Sequence, residues 1–61
     1  PRAIESINRA IAMEPQNGLY YYGRARVLLL SGDREKARED FRKAADLGDE
    51  DAQNYLKKNP K

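Results

Sequence analysis

An all-α protein of antiparallel helical hairpins, stacked as a short α-solenoid, is what this sequence predicts, and three observations predict it. Apolar residues recur at the i, i+3, i+4 spacing of one helical face, as in Ala3, Ile4, Ile7, Ala10 and Ile11. The dipeptides Gly32-Asp33 and Gly48-Asp49 punctuate the chain as helix stop and helix start. A shift of 34 residues superimposes Ala3 on Ala37, Glu5 on Glu39, Ala10 on Ala44 and Tyr21 on Tyr55. The same shift keeps bulk at Ile7/Phe41 and Met13/Leu47 and keeps charge at Arg9/Lys43, so the matches sort by helix face. A period of this length belongs to stacked hairpins that present a surface to partners.

The first helix is predicted over residues 2–13, with Glu14 on the margin of its apolar face and Pro15 ending it, because proline disfavours helical geometry in the residue before it. Asn17 is the predicted N-cap of a second helix over residues 18–31, rich in Tyr and Leu. Gly32 supplies a left-handed C-cap and Asp33 accepts from the first free amides of a third helix, residues 34–47. Gly48-Asp49 repeats that punctuation, and Glu50 and Asp51 place negative charge at the N-terminus of a last helix, residues 50–58, where the helix dipole favours it. Ala52, Tyr55 and Leu56 give this helix its one apolar stripe, and Asn59-Pro60 stops it. One apolar side suits a helix that closes a stack, so the polar last helix is predicted to be a natural end. In the repeat frame, residues 1–17 are the second helix of a partial unit whose first helix would lie upstream, residues 18–51 are one complete helix-turn-helix, and residues 52–61 are a capping helix and tail. The absence of an initiator Met is read the same way, as a fragment or processed product.

Sixty-one residues bury little surface, and the chain has no Cys for a disulfide and no His for a common metal site. Stability is therefore expected to be marginal. The net charge of +2 comes from 12 basic and 10 acidic residues that alternate along the helices, a pattern of solvated faces with the i,i+4 pairs Glu5–Arg9, Lys36–Asp40, Glu39–Lys43 and Arg42–Asp46. The longest apolar run, Val27 to Leu30, is too short to span a membrane, and no signal-peptide pattern opens the chain, so no membrane partner is expected. An enzyme is not expected either: Ser6 and Ser31 have no base at a suggestive spacing. Asp49-Glu50-Asp51 lacks the ligand spacing and central Gly of a calcium loop, and no cofactor is implied.

These features together resemble the tetratricopeptide repeat, a helix-turn-helix with the pattern W-x2-L-G-x2-Y, then A-x3-F, then A and P. Tyr21 stands for the Trp, Ala25 for the small Gly and Leu28 for the Tyr, followed by Ala37, Phe41 and Ala44; Ala3, Ile7, Ala10 and Pro15 fill the same slots in the preceding half-repeat. Arg24 takes a slot usually filled by Leu, so its stem is expected along the core with the guanidinium reaching water. Asp49 replaces the terminal Pro. The stretch Lys43 to Asp49, followed by Ala52-Gln53 and Leu56, is similar to the related Sel1-like repeats, without their longer loop.

The resemblance implies about one and a half repeats plus a short cap, acting as a protein–protein interaction module. In this family the first helices of successive repeats line a concave groove, and the matching positions are Leu19, Tyr22, Arg26, Leu29 and Leu30, with Gln16, Asn17, Glu50 and Asp51 at its loop edge. The set suits a peptide or helix of another protein, because Tyr and Arg combine apolar contact with directed donors. The alternative for Tyr22, Leu29 and Leu30 is packing against a neighbouring repeat or a second copy of the chain. A subclass of the family grips a C-terminal carboxylate with Lys, Arg and Asn; Arg26 beside Tyr22 and Leu19 does not reproduce that clamp. Successive helical residues lie about 100° apart, so Tyr21 is predicted to be core, Tyr22 to face the groove and Tyr20 the outer edge. Two further readings stand beside partner binding. Ile4, Ile7 and Ile11 form an apolar face lacking an expected neighbour, which fits self-assembly into a homo-oligomer or helix-swapped dimer. Arg34, Arg38, Arg42 and Lys43 recur along the third helix as nucleic-acid contacts would, but Glu35, Glu39 and Asp40 dilute them, and RNA or DNA is not the expected partner.

Overall fold

Four helices form in chain order: α1 (Arg2–Met13), α2 (Gly18–Leu30), α3 (Arg34–Asp46) and α4 (Glu50–Lys58). The structure is a computed structural model that describes residues 2–60; Pro1 and Lys61, the outer ends of the first and last predicted segments, lie outside the described residues. α2, α3 and α4 each start where a polar cap precedes them. The side chains of Asn17, Asp33 and Asp49 accept from the backbone amides of Leu19, Lys36 and Ala52 at 3.0, 3.3 and 2.8 Å. The second and third helices end one residue earlier than predicted, with Ser31 and Leu47 serving as C-caps.

The two Gly-Asp dipeptides prove to be one device used twice. Gly32 and Gly48 sit at φ of 92° and 95°, a region costly for any residue with a Cβ. Their amides donate to Leu29 O and Ala45 O, while the amides of Asp33 and Asp49 donate to Leu28 O and Ala44 O at 2.9 and 3.0 Å. This pair of bonds is the Schellman closure of a helix end. The same aspartate then caps the next helix, so stop and start share a single residue and the hairpin turns within two residues.

Consecutive helices pack antiparallel, with the most extensive contact between α2 and α3. The result is a slab of 28 × 25 × 13 Å. Its core is Ala25, Ala37, Phe41, Ala44 and Ala52, with Tyr21, Leu28, Ala45 and Leu56 packed around it. The alanines let backbones approach, and Phe41 fills the space between them. Phe41 stacks on Tyr55 at a centroid distance of 3.8 Å and meets Tyr22 edge-on at 5.7 Å. Among the described residues no helix is long and apolar enough to cross a membrane.

Equivalent repeat positions are not equally buried. Ala37 and Ala44 are buried, whereas their counterparts Ala3 and Ala10 are exposed and half-buried. The reason is position in the stack: α3 is held between α2 and α4, while α1 packs chiefly on α2. Met13 corrects the expectation of bulk in a core position. It is 82% exposed, because among the described residues nothing covers it, whereas its counterpart Leu47 is half-buried beside the start of α2.

That junction depends on Gly18. A Cβ built there would lie 2.9 Å from the carbonyl oxygen of Ala44 and 3.2 and 3.3 Å from the Cβ atoms of Asp49 and Leu47. A backbone oxygen cannot swing aside as a side chain can. Gly18→Ala is therefore expected to lower the unfolding free energy by about 2 kcal/mol in urea titrations. Gly23→Ala on the same helix is the control, since its Cβ would meet Ile7 Cδ1 at an ordinary 3.8 Å. Equal stability of the two variants would refute the close-approach account.

Candidate partner-binding groove

Residues spaced by three and four on α2 build one wall of a groove. Tyr22 and Leu29 lie toward α4, and Leu19, Arg26 and Leu30 follow on the adjoining edge of the same face. The structure gathers these five residues on one side of the helix but gives them different surroundings. Tyr22 and Leu29 are half-buried and touch the core. Leu19 and Leu30 are 60% and 86% exposed. Arg26 is exposed, with its guanidinium carbon 5.9 Å from the Tyr22 ring centroid, so cation and ring form one amphipathic surface.

The opposite wall comes from α4. A concavity of about 300 Å³ lies between Tyr22 and the residues Asp51, Asn54, Tyr55, Lys58 and Asn59. A second, of about 370 Å³, is lined by Leu29, Arg34, Arg38, Tyr55 and Asn59. Tyr55 and Asn59 border both, which makes the two spaces parts of one depression running along α2 and α4. Leu19, Arg26 and Leu30 line neither part. Of the predicted loop edge, Asp51 lines the first concavity, while Gln16 and Asn17 belong to a separate hollow of about 560 Å³ with Glu14, Pro15, Gly18 and Leu47.

Tyr20, Tyr21 and Tyr22 point three ways. The Tyr20 hydroxyl donates to Glu14 Oε2 at 3.4 Å near the first turn. Tyr21 packs on the core cluster, with Arg24 and Lys43 lying over its ring at 5.4 and 5.9 Å. The isoleucines Ile4, Ile7 and Ile11 are half-buried. Arg34, Arg42 and Lys43 are exposed, and Arg38 is half-buried.

Arg24 keeps part of its surface in water, as expected, and is also held by partners on two other helices. In its guanidinium Nε and Nη2 donate to Asp40 Oδ2 and Oδ1 at 2.7 and 2.8 Å, and Nη1 donates to Asn8 Oδ1 at 2.8 Å. Asp40 is 8% exposed while the Arg24 side chain is 26% exposed, so the pair is part-buried, with the carboxylate as its withdrawn end. Hydrogen bonding to Asp40 raises the Arg24 pKa above its ordinary value, against the opposing effect of burial. One side chain thus ties α1, α2 and α3 together behind the groove. The i,i+4 pairs expected from the sequence do not form; among the described residues Arg24–Asp40 alone closes within 4 Å. Exposed charges stay hydrated because closing such pairs gains little, and Asp40 faces Arg24 in place of Lys36. Asp40 was hidden from sequence reasoning because its partner lies on another helix.

The family model of the tetratricopeptide repeat matches residues 18–51. No curated protein and no solved structure matches the chain.

Proposed function

The chain belongs to the tetratricopeptide repeat family, whose repeats in general are non-catalytic modules of protein–protein interaction, and from that premise we propose that it binds a peptide or helix of another protein along the α2/α4 groove. The observation that carries this reading is the depression floored by Tyr22, Leu29 and Tyr55 and flanked by exposed Leu19, Arg26 and Leu30. Aromatic floor, apolar edge and a guanidinium within reach of a ring are the composition of an interface centre. In this reading residues 18–51 are the complete repeat, residues 1–17 stand in the register of a second helix, and residues 52–61 act as the cap.

Selection of a displayed random peptide library on the chain, followed by affinity measurement on the triple variant Leu19→Ser/Arg26→Ser/Leu30→Ser, tests the proposal. All three side chains are exposed, so helicity is expected to stay unchanged while affinity falls about tenfold or more. Failure to enrich any sequence, or an enriched peptide that binds the variant equally well, would sink it.

One observation favours a second reading. Ile4, Ile7 and Ile11 are only half-buried on α1, which leaves apolar surface for a second copy of the chain. Sedimentation equilibrium with circular dichroism over a dilution series separates the two. A folded dimer that loses helicity on dilution, abolished by Glu at Ile4, Ile7 and Ile11, would make self-association the leading function; a helical monomer would leave the groove.

A further inference from the structure

We propose that Arg34 and Arg38 form a cradle for side-chain carboxylates of an acidic partner segment, at the end of the groove where α2 ends and α3 begins. The inference rests on the groove reading and names the chemistry of one end of its ligand. The two arginines are one helical turn apart on α3 and line the same 370 Å³ concavity as Leu29, Tyr55 and Asn59. Among the described residues neither guanidinium has a carboxylate within 4 Å, although Glu35 and Glu39 flank them in sequence. Neither glutamate lines the concavity. The nearby Asp33 carboxylate is engaged in capping α3 through Lys36 N at 3.3 Å. Among the described residues the one buried carboxylate, Asp40, is bound to Arg24, while Arg34 is exposed and Arg38 half-buried, each without such a partner.

One further feature favours an anion there. Lys58 lines the adjoining concavity on α4, so cations stand on both walls of this end. The first concavity carries Asp51, one residue inside the start of α4. The groove is thus polarised, positive where α2 ends and negative where α4 begins. Charge complementarity then assigns the orientation: the acidic part of the ligand lies against Arg34 and Arg38, and the apolar part over Tyr22 and Leu29. Planar guanidiniums favour carboxylates, which they bind through paired donors.

The test titrates the full chain with hexaglutamate blocked at both ends, observing backbone, arginine Nε–H and asparagine amide signals by NMR. Shifts centred on Arg34, Arg38 and Asn59 are expected, with affinity about tenfold weaker in Arg34→Gln/Arg38→Gln and unchanged helicity. Undiminished binding by that variant would overturn the proposal. So would tighter binding of a trialanine with a free C-terminus, which would assign a terminal carboxylate, or of hexauridylate, which would assign phosphate. Leu19→Ser/Leu30→Ser separates this inference from the groove itself. If that variant loses library-selected peptides but keeps hexaglutamate, the cradle stands. If the selected peptides bind and hexaglutamate does not, the groove stands and the cradle fails.

Discussion

Phe41→Ala is expected to unfold the chain at 25 °C. Among the described residues Phe41 is the one large side chain that is fully buried, 1% exposed, and it meets rings from two other helices face-on or edge-on. Truncating a buried phenylalanine costs about 3–5 kcal/mol, the lost transfer energy plus a cavity that the neighbours only partly fill. A domain below about 70 residues rarely holds more than about 3–5 kcal/mol in total. The single substitution is therefore as large as the whole margin. Far-UV circular dichroism of the variant is expected to show lost helicity, and Phe41→Leu a lower but cooperative transition. The consequence reaches the groove, because Tyr22 and Tyr55 both rest on the Phe41 ring. A Phe41→Ala variant as stable as the parent would mean that the alanine contacts alone hold the hairpins.

Arg24→Ala is expected to cost about 3 kcal/mol, because it leaves the Asp40 carboxylate buried and without its bidentate partner. Removing both charges is a different matter. Arg24→Leu/Asp40→Leu places apolar side chains of comparable volume in the same space and is expected to be nearly neutral, since desolvation offsets most of what a buried pair gains. Arg24→Lys keeps the charge and loses the fork, and falls between the two. Urea denaturation of the singles and the double gives the coupling energy directly. A double variant that loses as much as the two singles combined would show that Arg24 and Asp40 act independently. The pH dependence follows from the direction of the Arg24 shift. A raised pKa means its contribution is complete below the ordinary arginine range and is lost only as pH rises through the folded value, so this group adds no slope near neutrality. Asn8 extends the cluster to α1, and Asn8→Ala is expected to loosen that helix before the α2/α3 hairpin.

Much of the architecture was legible in the chain because its causes are local. Pro15, Asn17 and the two Gly-Asp dipeptides mark helix ends within a residue, since capping and left-handed closure involve neighbours four or five positions apart. The 34-residue shift and the repeat pattern picked out Ala37, Phe41 and Ala44 for close packing and bulk, and all three are in the core. The groove was half legible. The resemblance to the tetratricopeptide repeat implied Leu19, Tyr22, Arg26, Leu29 and Leu30 for the groove face, but it says nothing about which of them another helix will roof, and Tyr55, Asn59 and Arg38 border the depression from outside α2.

What the sequence by itself determined is where each helix begins and ends and which stripe of each is apolar; periodicity and caps are properties of a single segment. Only the tertiary structure decided that Arg24 would bind Asp40 and Asn8, that Gly18 would abut the Ala44 carbonyl, and that Met13 would stand in solvent while its counterpart Leu47 is covered. Those outcomes depend on how helices cross and on how many neighbours each has in the stack. Residues sixteen positions apart meet, or fail to meet, through that geometry alone.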